Sequence, residues 1–218
     1  MGSKRKDSQF PREKDGYDPW AGLIFDTAGN LYGTTRWGGV HGYGTVFQLA
    51  PGANGAWTEN ILHSFVHNNQ DGVEPFAGLI FDTDGNLYGT TLEGGSYADG
   101  TVFQLAPEAK GKWKEGVLHR FRGRDGVHPI ASLIFDATGN LYGTTTEGGL
   151  YNYGTVFRLV PGANGAWTEN VLHKFFDNHQ DGFHAGAALI FDAAGNLYGT
   201  TAEGGAYDYG TVFEIVTH

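Results

Sequence analysis

From Leu23 the chain alternates short apolar runs with small polar connectors. Leu-Ile-Phe is followed by Asp-Thr-Ala-Gly-Asn, and then by Leu-Tyr-Gly-Thr-Thr. The same thirteen-residue pattern returns at Leu79–Thr91, Leu133–Thr145 and Leu189–Thr201. Its aspartates, Asp26, Asp82, Asp136 and Asp192, lie 56, 54 and 56 residues apart. Self-similarity at this period marks an array of equal supersecondary units.

Each unit divides into four candidate strands, A to D. In the first unit these are Ala21–Phe25, Leu31–Thr35, Thr45–Ala50 and Trp57–Phe65. No stretch carries a helical period with caps, and the connectors are short, so neighbouring strands must run antiparallel. A repeated four-stranded meander predicts an all-β fold, a β-propeller of four-stranded antiparallel blades, with four repeats per chain. The array predicts one domain over 1–218, with repeats at approximately 18–73, 74–127, 128–183 and 184–218. In Asp26-Thr27-Ala28-Gly29-Asn30 the pattern is that of a tight turn with a bulge at Gly29, not a calcium loop, which needs alternating carboxylates and a distal Glu.

The fourth copy of Gly-Thr-Val-Phe ends the chain at His218 without a strand D. A blade left at three strands exposes an edge. The N-terminal segment Ser8–Trp20 aligns with His63–Phe76, with Phe10 on Phe65 and Asp15-Gly16 on Asp71-Gly72. Residues 4–10 are therefore expected to complete the last blade. The alternative is two chains forming one eight-bladed ring, a homodimer that seals both edges.

Composition narrows the function classes. The 36 glycines with only 7 prolines fit many tight turns and exclude collagen. A net charge of −10 excludes a nucleic-acid groove. With no cysteine there is neither a disulfide framework nor a thiolate metal site. No apolar run is long enough for a membrane span, and no apolar segment follows the basic start, so no signal peptide is expected in this chain. No cofactor is implied.

With strand A lining the axis, the B–C and D–A connectors share one face. The B–C loops carry Trp37, Tyr43, Tyr97, Tyr151, Tyr153, Tyr207 and Tyr209, with Glu93, Glu147 and Glu203 beside paired glycines and Arg36 taking that place in the first repeat. The D–A loops add Asp71, Asp125 and Asp181. Aromatic rings beside planar hydrogen-bonding groups suit sugars. These residues are the candidate ligand-binding set, for a glycan or protein partner. His63, His119 and His173 occur once per repeat and are expected to hydrogen-bond between blades, since a metal needs converging ligands. His128 and His184, at the positions of Asp18 and Glu74, are a candidate metal or anion set. No catalytic constellation stands out: there is no nucleophile elbow, zinc helix or phosphate loop. The expected function is a non-catalytic binding module, with a structural assembly unit as the alternative and a propeller lyase, built on His128 with Glu74, as the second alternative.

The core Asp-x-x-Gly-Asn-Leu-Tyr-Gly-Thr-Thr-x-x-Gly-Gly, followed by Gly-Thr-Val-Phe, resembles the GloVer-type tandem repeat of bacterial extracellular and surface-anchored proteins. The turn and strand are also similar to those of sensor propellers and the streptogramin-lyase group. The resemblance implies a propeller and an extracellular or cell-surface location. It supplies no catalytic residues.

Overall fold

A computed structural model describes residues 10 and 13–217. The first three repeats form four-stranded antiparallel sheets in the order A-B-C-D. The first comprises Ile24–Phe25, Leu31–Thr35, Thr45–Pro51 and Trp57–Ser64; the second Ile80–Phe81, Leu87–Thr91, Thr101–Pro107 and Trp113–Arg120; the third Ile134–Phe135, Leu141–Thr145, Thr155–Pro161 and Trp167–Lys174. The fourth, among the described residues, has three strands: Ile190–Phe191, Leu197–Thr200 and Val212–Ile215. Among the described residues the only helical pieces are single 3-10 turns, three of which sit in the C–D hairpins. Residues 4–9 of the expected N-terminal strand lie outside the described residues.

The A–B turn forms as its sequence dictates. Asp26 accepts the Ala28 and Asn30 amides on Oδ1, and the Asn30 side chain and Tyr32 hydroxyl on Oδ2. Gly29 supplies the positive φ of 86°. These bonds saturate the carboxylate inside its own turn.

Strand A comes closest to the axis. A Cβ on Gly78 would touch the Ser132 hydroxyl and lie near the Gly22 carbonyl, so three repeats converge there. Strand A pairs over two residues, shorter than the five-residue run in the sequence.

Alternation gives each blade two apolar faces. Ile24, Tyr32 and Val46 look forward and pack on Leu79, Leu87 and Phe103 of the second blade. Two further clusters repeat this at the next junctions. Strand D breaks the alternation. Ile61 pairs with Phe47, but His63 pairs with Val46, leaving Leu62 as a bulge. Leu118 and Leu172 repeat it. Cross-strand partners share a face, so the bulge turns His63 and Phe65 forward. Phe65 then meets Phe103 edge-on, at 5.2 Å between ring centroids.

Candidate functional site

The D–A and B–C connectors lie side by side. Gly72-Val73 pairs with Glu93-Gly94, and Gly182-Phe183 with Glu203-Gly204. Single bridges join Tyr17 to Trp37 and Val127 to Glu147. Beneath them sits a buried threonine pair, such as Thr91 and Thr101 at 2.8 Å. The glycine of the D–A loop lies directly on this pair. A Cβ on Gly72 would collide with both hydroxyls. The pairing also corrects one alignment: Trp37, not Arg36, stands where later repeats carry glutamate.

The tyrosines separate into two sets. Tyr97, Tyr151 and Tyr207 occupy one position of successive B–C loops and are 59%, 53% and 83% exposed. Each precedes a residue held at positive φ, Ala98, Asn152 or Asp208. Tyr151 leans on Phe176 with ring centroids 5.6 Å apart. Two positions later, Tyr43 and Tyr153 face the following repeat. Tyr43 packs on the core of the first junction, and Tyr153 lies 4.7 Å from the Phe183 ring. Tyr209 holds the same place in the fourth repeat and is 91% exposed.

The expected acidic residues also separate. Glu93 is exposed. Glu147 faces His128 at 3.5 Å, and Glu203 faces His184 at 3.3 Å. Asp71, Asp125 and Asp181 turn inward to His63, His119 and His173, at 3.2, 3.3 and 2.8 Å. They anchor the D–A loop to the end of strand D; Asp71 also accepts the Val66 amide. Glu74 is buried and binds Arg36 of the preceding repeat, at 2.8 Å. His128 and Glu74 therefore serve different partners.

Sequence reasoning missed an aromatic group ahead of strand A. Trp20 stacks on Phe76 at 5.6 Å and 20°. The Arg36 guanidinium lies over Trp37 at 5.0 Å and Phe76 at 5.8 Å. The equivalent positions in repeats three and four are Ile130 and Gly186, so aromatic character is confined to the first two repeats. That asymmetry was the available signal.

The first two junctions each also hold a histidine and two carboxyls. One ring nitrogen of His63 and one oxygen each of Asp71 and Glu115 lie within 4.8 Å of one another. This is the cation-holding geometry among the described residues. A proton accounts for it equally well. Burial first, then the Asp71 charge, pushes the Glu115 carboxyl up to about 8. At neutral pH Glu115 is therefore held protonated beside Asp71 and His63. Glu169 beside Asp125 and His119 repeats the arrangement, and Glu59 lies beside Asp15 alone; each is pushed mainly by burial to about 7.

The chain belongs to the Gloeobacter/Verrucomicrobia repeat family, whose family model matches residues 19–218. No curated protein matches it. Among solved structures it is similar to a protein of unknown function from Dyadobacter fermentans, at 14% identity and a TM-score of 0.52. The match covers 87% of this chain and 63% of that one. The likeness shows the fold alone, and the chain spans less than two thirds of its structural neighbour's length.

Proposed function

We propose that the chain is a non-catalytic binding module that takes glycans on its loop face. The observation that carries this is the row Tyr97, Tyr151 and Tyr207, exposed at one position of three successive loops. Burial explains none of these rings, whereas it accounts for Tyr43 and Tyr153. Their flat faces fit the C–H surface of a pyranose, and Asn152, Asp208 and Ser96 beside them fit its hydroxyls. Repetition multiplies weak sites into avidity. The test is a glycan array probed with the wild-type chain and with Tyr97→Ala/Tyr151→Ala/Tyr207→Ala. Binding by the first and at least tenfold weaker binding by the second is expected. Equal signals, or two blank arrays, refute the reading.

A second reading, an assembly unit, is favoured by the exposed apolar faces on the first and last blades.

A further inference from the structure

Three junctions within the chain show how one blade receives the next. Phe81 stands edge-on to Tyr32, Phe135 to Tyr88 and Phe191 to Tyr142, all with ring centroids 5.0–5.2 Å apart. The loops are joined by backbone bonds: the carbonyls of Tyr43, Asp99 and Tyr153 accept the amides of Glu74, His128 and His184. The hydroxyls of Thr34, Thr90 and Thr144 donate to Ala77, Ala131 and Ala187.

The chain carries both halves of a fourth such junction, unjoined. The forward face of blade four presents Ile190, Tyr198, Thr200 and Val212. Val212 is 79% exposed, whereas Val46, Val102 and Val156 are fully buried. The rear face of blade one presents Leu23 and Phe25. Phe25 is 65% exposed, and Leu23 is 48% exposed against 1–2% for Leu79, Leu133 and Leu189. Among the described residues no hydrogen bond links the fourth repeat to the first.

The aromatic contacts of strand D point the same way. Trp113 of strand D packs on Tyr32, and Trp167 on Tyr88. Tyr142 has no such partner from blade four. It lines an open groove of about 550 Å³ with Phe191, Arg158 and Thr217. The Arg158 Nε there is buried without a partner. Meanwhile Phe10 packs on Phe47 as strand-D phenylalanines pack on the blade that follows them. Phe10 thus takes, against blade one, the place that Phe65 takes against blade two.

We propose that two copies of the chain join head to tail into one eight-bladed ring. Each fourth blade receives the first blade of the other copy, and with it Phe10 packed on Phe47. Unlike faces meet at each contact, and such contacts either close into a ring or run on as a filament. Propellers typically have up to eight blades, so closure after two copies fits. Each ring completes the rim as well, placing Tyr209 against the partner's loop as Tyr153 lies against Phe183.

Light scattering on the full chain should give twice its 23.5 kDa mass. Phe25→Asp and Val212→Asp should each fall to the single-chain mass with an unchanged circular dichroism spectrum. Mixing the two variants should restore a two-chain species, because one intact junction then forms. A single-chain mass for the wild type, a mass of three or more copies, or no restoration on mixing overturns the proposal. Should the charged variants unfold, Phe25→Cys/Tyr198→Cys in this cysteine-free chain decides. Treatment with a short bismaleimide is expected to give a covalent two-chain band, and a purely intramolecular link overturns it. A glycan-blank array would leave these masses unchanged, so the two proposals fail separately.

Discussion

Phe10 meets Phe47 edge-on, with ring centroids 5.1 Å apart and planes at 75°. Phe121 with Phe157, and Phe175 with Phe213, make the same contact at 5.1 and 5.2 Å. Phe10 thus belongs to the blade architecture. Phe10→Ala should cost about 2 kcal/mol in urea denaturation, less than a fully buried Phe because Phe10 is partly exposed. A loss below about 0.5 kcal/mol, the usual surface range, would show that the contact contributes nothing.

The D–A glycines offer a clean steric test. Gly72→Ala forces a methyl onto the Thr91–Thr101 pair, and should cost about 2 kcal/mol or more. Gly29→Ala has open space but a φ of 86°, and should cost about 1 kcal/mol. Gly116→Ala, in strand D with open space and ordinary backbone, should be neutral within about 0.5 kcal/mol. Thermal melts of the three should rank in that order.

The junction carboxyls set a pH dependence. In the folded chain Glu115 titrates near 8, against 4.5 unfolded, so the folded state holds its proton more tightly. Stability from this group is fully present below about pH 4.5 and is lost as pH rises through about 8. Glu59 and Glu169 add the same slope up to about 7. Melting temperature should therefore fall from pH 5 to pH 8.5. Glu115→Gln should flatten that fall and melt several degrees higher at pH 8.5. An unchanged profile would mean that Glu115 is ionised throughout.

The A–B turns titrate in the opposite sense. Burial pushes the Asp136 carboxyl upward, but bonds from Asn140 and Thr138 overcome it and hold the group at about 2. Its stabilisation is present above the unfolded value of 3.8 and is lost as pH falls toward 2. Asp82 is likewise lowered against burial, by bonds from Asn86, the Tyr88 hydroxyl and the Asp84 amide. Asp136→Asn should cost about 1 kcal/mol at neutral pH, and should make stability less sensitive to acid between pH 4 and pH 2.

The strands, their order and the four repeats were legible because alternation and short connectors are local. Residues such as Leu31 and Tyr32 announce their faces without reference to distant partners. The bulge at Leu62 was not legible: Ile61-Leu62-His63 reads the same with or without a skipped residue. Its consequence, the forward turn of His63 toward Asp71, was therefore hidden. The rim was legible in composition but not in role. Tyr151 and Tyr153 lie two residues apart in one loop, and only the position of the next repeat makes one a packing group and the other a surface. The Trp20–Phe76–Arg36 group joins residues from two repeats; aromatic asymmetry marked its members, but no local pattern showed that they meet.

The slipped residue at Leu62, Leu118 and Leu172 has a bearing on how such arrays are recombined. By carrying the end of strand D onto the neighbour, it makes the chemically coherent segment straddle two sequence units. Chimeras cut at the repeat boundary would sever His63 from Glu115 and Phe65 from Phe103. Splices placed in the exposed C–D hairpins, near Asn54 or Lys110, would keep Phe65 with Phe103 and His63 with Asp71.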